Sequence, residues 1–80
     1  MGWDSAEFVY VQVADDLAAR VRSGEFPLGS RLPNETELAE SYGVARMTVR
    51  RALAVLRDRG IIRTLHGRGS VVVTSPEQSP

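Results

Sequence analysis

The residues of this chain best suited to chemistry are three arginines inside the run ETELAESYGVARMTVRRALAVL, residues 35–56. Arg46 and Arg50 are four apart, so on a helix they project from one face, and Arg51 lies just off it. A guanidinium can bridge O6 and N7 of a guanine or grip a phosphate, which makes such a face a candidate reader of DNA. Bond-making chemistry finds little material. There is no cysteine and one histidine, His66, with no further ligands or catalytic partners clustered beside it. The sequence therefore points to no metal, no cofactor and no enzyme activity.

A face of arginines is useful only if something holds it. Leu38, Tyr42, Val44, Val49 and Ala52 fall where two helices joined by a tight turn must be apolar, and Ala39 is small where they cross. Gly43 stands where the backbone must bend with φ > 0. An arginine-bearing helix braced by a shorter one is a known way into the DNA major groove.

Eighty residues form one small domain with little core to spare. The net charge of zero argues at first against a nucleic-acid partner, but its distribution does not. Residues 1–40 hold eight acids and three arginines, a balance of −5, whereas residues 41–80 hold seven arginines and two acids, a balance of +5. Such a chain can meet a polyanion in one orientation, and its acidic half should keep non-specific binding weak. No apolar run approaches membrane-spanning length, and Asp4 and Glu7 stand where a signal peptide would be basic, so a cytoplasmic protein is expected.

The pattern predicts a first helix over about 9–22, with Tyr10, Val13, Ala14, Leu17 and Val21 as its buried stripe and Gly24 just past its end. A loop punctuated by Pro27, Gly29 and Pro33 follows, in which Arg31 and Leu32 could form a very short strand. Asn34 and Glu37 read as the capping box of a second helix over about 35–41. A third helix is expected over about 45–59, ended by Gly60. The β-branched runs at 61–65 and 70–74 flank a four-residue tip, 66–69, as a hairpin. The expected fold is mainly α with a small β-hairpin, a three-helix winged helix-turn-helix over residues 9–74. Residues 1–8 read as a flexible start and 75–80, SPEQSP, as linker or tail. Leu17, Val21, Leu38, Val49, Leu53 and Leu56 are expected in the core. Trp3 and Phe8 could cover its edge or meet another subunit.

Read in order, the segments YVQVADDL from Tyr10, GEFPLGSRLP from Gly24, ELAESYGV from Glu37, RMTVRRAL from Arg46 and HGRG from His66 resemble the N-terminal DNA-binding domain of GntR-family bacterial transcription regulators. The resemblance covers roughly four-fifths of the chain, 10–73, and rests on the order and spacing of motifs that are individually weak. It implies that the third helix enters the major groove and that the hairpin reaches the adjacent minor groove or its phosphates. It also implies a homodimer on a palindromic double-stranded operator, usually to repress transcription. A second, C-terminal domain for effector binding and dimerisation is typical of the family. This chain carries none, so it reads as a fragment or a short stand-alone regulator. Matched residue by residue, Arg46, Thr48 and Arg50 fall on family DNA-contacting positions, and His66, Gly67 and Arg68 on the wing tip.

Three positions depart from the family pattern. Thr36 stands in place of a frequent arginine, Ala45 in place of a capping serine or threonine, and Met47 in place of a small hydroxyl residue. Met47 could fill a half-buried gap or touch a thymine methyl. Arg51 is open between pairing with an acid of the second helix and touching phosphate. Thr36 and Asn34 are open between plain capping and holding a phosphate at the helix N-terminus. Arg31 is a surface residue with phosphate contact as its functional alternative, and His66 a turn residue or a wing-tip contact. Arg57, Arg59 and Arg63 read as surface or phosphate-steering residues. The alternative function is a winged helix that binds protein or RNA.

Overall fold

Three helices each run to a glycine that adopts a positive φ, at Gly24, Gly43 and Gly60. The computed structural model describes residues 8–65, 67 and 69–74. In chain order its elements are α1 (Val9–Arg22), α2 (Glu35–Tyr42), α3 (Arg46–Asp58), β1 (Ile62–Leu65) and β2 (Gly69–Val72).

Helix α1 buries Val13, Ala14, Leu17, Ala18 and Val21, a stripe at three- and four-residue steps. Tyr10, expected on that stripe, is half-buried and packs at the edge of the core. Helix α3 turns Val49, Ala52, Leu53 and Leu56 inward. These residues meet Leu38, Ala39 and Tyr42 of α2, and Ile61, Ile62 and Val72 of the hairpin close the cluster. Leu32 joins it from the loop. Among the described residues, no buried side-chain nitrogen or oxygen lacks a hydrogen-bond partner, as a core of this size requires.

Helix α2 runs to Tyr42, one residue beyond the expected end. The amide of Gly43 reaches the carbonyl of Glu40 (3.3 Å) and that of Val44 reaches Ala39 (3.0 Å), so Tyr42 stays inside the last turn. This is the Schellman arrangement, which needs a left-handed residue at the turn, and Gly43 supplies φ 67° and ψ 37°. Its start carries the expected capping box. The Asn34 side chain accepts from the Glu37 amide (2.8 Å), and the Glu37 carboxylate accepts from the Asn34 amide (3.3 Å). Helix α3 is one residue shorter at each end than expected: Ala45 is its cap, an extended residue with no side-chain hydrogen bond to the first turn, and Arg59 closes it.

The hairpin is antiparallel, with Ile62 opposite Val72 and Leu65 opposite Gly69. Gly69 therefore belongs to the ladder, and three residues, 66–68, join the strands instead of the expected four. The ladder also ends sooner than the β-branched run, because the amides of Val73 and Thr74 both turn to the carbonyl of Ile61. On the other edge of β2, Arg31 makes an isolated bridge to Val71, flanked by Leu32 N–H to Ser70 O (3.0 Å) and Val72 N–H to Ser30 O (2.9 Å). The short strand expected at Arg31 and Leu32 is thus a single bridge. It covers the edge of β2 and draws the entry to α2 against the hairpin.

A side-chain network invisible in the linear pattern ties α1 to α2. The Tyr42 hydroxyl donates to Asp16 Oδ2 (2.5 Å) and accepts from Arg20 Nη1 (2.9 Å). Arg20 also holds Glu25 through Nε and Nη2 and lies 4.5 Å from the centroid of the Phe26 ring. Burial, reinforced by the hydrogen bond to Asp16, pushes the Tyr42 phenol up to about 12. The hydrogen bond to Glu25 leads the rise of Arg20 above its already high value.

Candidate DNA interface

With Val49, Ala52, Leu53 and Leu56 committed to the core and Val55 packed at its edge, the opposite side of α3 faces outward. Arg46, Met47, Arg50 and Arg51 are exposed, and Thr48 is half-buried at the margin. Arg46 opens the helix and Arg50 follows one turn later, so both arginines share the exposed face expected of them. Neither Arg46 nor Arg51 has a side-chain hydrogen bond or ion pair among the described residues.

Arg50 is different. Its Nε donates to both carboxylate oxygens of Glu35, at 3.2 and 3.1 Å. The acid of α2 therefore pairs with Arg50, and the pairing considered for Arg51 does not occur. The reason is rotation along the helix. Arg50 faces the start of α2, whereas Arg51, about 100° further round, lines a shallow groove with Phe8, Val9, Tyr10, Met47 and Thr48. Glu35 raises the guanidinium pKa of Arg50, chiefly through that hydrogen bond, so the group stays charged at any working pH.

The structure brings other expected residues to the same region. Thr36 is exposed in the first turn of α2 and lines a groove with Asn34, Glu35, Arg57, Thr64 and Ser70, between α2 and the hairpin. Arg31 is exposed and shares a second groove with Asn34, Glu37, Gly67 and Gly69, beside the hairpin tip. The N-terminus of α2 is thus flanked by α3 on one side and the hairpin on the other, an arrangement able to meet a polyanionic backbone along a continuous front. Gly67 is exposed with φ 68°, while His66 and Arg68 lie outside the described residues.

Met47 is 56% exposed, so it does not serve as a half-buried filler. Phe8, at 72%, does not cover the core; it sits at the cap of α1, where its carbonyl accepts from the amides of Val11 and Gln12. Trp3 lies outside the described residues. Arg57 bonds Thr64 Oγ1 (3.0 Å) and Arg59 pairs with Asp15 (3.2 Å), both at the surface. Sequence reasoning missed Glu35 as part of this region. An acid at the first position of a helix is already explained by the helix dipole, and only the crossing of α2 and α3 brings it to a residue 15 positions away. No cluster of His, Cys, Asp or Glu among the described residues could hold a metal. No described helix is long and apolar enough to cross a membrane.

Known proteins share both sequence and shape. Residues 9–72 match the family described as "Bacterial regulatory proteins, gntR family". The HTH-type transcriptional repressor NagR of Bacillus subtilis (strain 168) is 41% identical over 64 residues, which span 80% of this chain and 26% of that protein. The mannosyl-D-glycerate transport/metabolism system repressor MngR of Escherichia coli (strain K12) is 38% identical over 64 residues, 80% of this chain and 27% of that protein. The chain therefore spans about a quarter of the length of these relatives. Among solved structures, a GntR family transcriptional regulator from Listeria monocytogenes superposes with a TM-score of 0.84 at 28% identity, covering 89% of this chain and 62% of that one. The DNA-binding domain of AraR in complex with operator ORX1 superposes with a TM-score of 0.81 at 28% identity, covering 91% of this chain and 90% of that one. With three helices, a two-stranded hairpin and this sequence match, the chain belongs to the GntR family of bacterial regulatory proteins.

Proposed function

We propose that this chain is the DNA-binding domain of a transcription regulator, a repressor that recognises a specific double-stranded operator. The observation that carries this reading is α3 itself. Arg46 and Arg51 have no side-chain partner among the described residues, and Arg50 keeps its two terminal nitrogens unengaged beside them. Such a helix, braced by α2, fits the major groove, with its guanidiniums on guanine edges or phosphates and Met47 and Thr48 beside them. The first turn of α2 at Thr36, with Arg31 beside the hairpin, meets the phosphates. Gly67 at the tip, with His66 and Arg68, reaches the minor groove. Likeness to a family member solved on its operator supports the same mode. The domain acts by occupancy and catalyses no reaction. Two copies bind a palindrome, and effector control belongs to a domain outside this chain.

Selection of duplexes from a random pool, followed by sequencing, tests this directly. An enriched palindrome is expected, and the spacing of its half-sites reports the dimer geometry. Arg50→Ala should weaken binding to the enriched duplex by about 1–3 kcal/mol, the usual worth of one bidentate base contact. Unchanged affinity would remove Arg50 from the reading. A second reading, a protein-binding module, draws on the exposed Met47 and Phe8, which line one groove. Salt separates the two: affinity for DNA must fall steeply as salt rises, whereas affinity resting on apolar contacts falls little.

A further inference from the structure

We infer that Glu35 is a positioning residue for sequence readout, holding the Nε edge of Arg50 so that its terminal edge is aimed at a base. The inference rests on the DNA-binding reading above and deepens it.

Both Glu35 oxygens are engaged by a single nitrogen, Nε of Arg50. Nη1 and Nη2 make no hydrogen bond among the described residues. Those two nitrogens form the end of the guanidinium that fits O6 and N7 of guanine. The ion pair therefore does not compete for the reading edge; it fixes the direction of that edge. The backbone that carries Glu35 is fixed, because it follows the cap residue Asn34, whose capping box with Glu37 and whose carbonyl bond to the Leu38 amide (2.9 Å) order the first turn of α2. Its side chain is also less open than that of its partner, 34% exposed against 56%.

Two plainer accounts of Glu35 explain less. An acid in the first turn favours the helix dipole, but Glu37 already stands there and closes the capping box. An exposed ion pair adds little to stability. Meanwhile, a carboxylate on a surface that approaches phosphates opposes non-specific binding. Its benefit must then appear in specific binding, where an arginine ordered in advance loses less side-chain freedom on contact.

The test measures affinity of the 80-residue chain and its Glu35→Ala, Glu35→Gln and Arg50→Ala variants. The probes are the duplex that the wild type enriches, the same duplex with each G·C pair replaced in turn, and a random duplex at low salt. In Glu35→Ala, affinity for the enriched duplex should fall about two- to tenfold, the worth of immobilising one long side chain. Affinity for the random duplex should rise. The penalty for replacing one particular guanine should vanish in Arg50→Ala and shrink in Glu35→Ala. Glu35→Gln, whose Oε1 still accepts from Nε, should lie between wild type and Glu35→Ala. Thermal melting of each variant separates readout from folding, and the near-isosteric Glu35→Gln keeps the test open if Glu35→Ala is unstable. Unaltered base discrimination in folded Glu35→Ala, or tighter binding to the enriched duplex as well as to the random one, would overturn the inference while leaving the DNA-binding reading intact. A wild type that enriches no sequence would overturn both.

Discussion

Replacing Gly43 by alanine isolates what the turn between α2 and α3 contributes. Gly43 has φ 67° and ψ 37°, in the left-handed region. A Cβ built there meets no heavy atom within 4 Å, so the substitution brings no clash, and only the backbone preference is at stake. Holding an L-residue in that region costs roughly 1–2 kcal/mol. The stiffer unfolded chain returns about 0.4–1 kcal/mol. The net loss should be about 1 kcal/mol, which for a domain of this size lowers the melting temperature by about 4–8 °C. Asparagine enters the left-handed region more easily, so Gly43→Asn should lose less than Gly43→Ala. The turn geometry survives in either variant, so affinity for the enriched duplex, measured well below the melting transition, should stay within about twofold of wild type. Thermal and urea unfolding followed by circular dichroism give the stability, and fluorescence anisotropy gives the affinity. A loss above about 3 kcal/mol would refute the reasoning, because it would require a contact that the open space around Gly43 excludes. Asparagine no better than alanine would refute it too, by removing the left-handed conformation as the cause.

Two further perturbations probe the supports of the interface. Ala45 occupies the cap of α3 in extended conformation without a side-chain hydrogen bond, and the Thr48 amide already reaches its carbonyl (3.0 Å); Ala45→Ser, whose hydroxyl can bond the amide of Met47, should add about 1 kcal/mol, and a melting temperature that does not rise would show that the hydroxyl makes no such bond. Tyr42→Phe removes a hydroxyl bonded to both Asp16 and Arg20 and should cost about 1 kcal/mol at neutral pH. Because the Tyr42 phenol is raised to about 12 in the fold, against about 10 when unfolded, its contribution is fully present below about pH 10 and is lost as pH climbs toward 12. The stability gap between wild type and Tyr42→Phe should therefore close over that window in unfolding experiments, and a constant gap would exclude Tyr42 as the titrating group.

The sequence alone determined the elements and the side of α3 that carries the arginines. Helix periodicity, the Asn34–Glu37 capping box and the glycines that close the helices are local features, each set by residues a few positions apart. The inward turn of Val49, Ala52, Leu53 and Leu56 leaves Arg46, Arg50 and Arg51 outside, and that follows from spacing in one segment. What only the tertiary structure decided is which distant groups meet. Glu35 reaches Arg50 instead of Arg51, Asp16 and Arg20 share the Tyr42 hydroxyl, and Arg31 bridges to Val71. Each of these contacts spans 15 or more positions. A pairing of that kind depends on the angle at which two elements cross and on the rotation of each about its axis. Those quantities are set by the packing of the whole core, and no single segment of the chain records them.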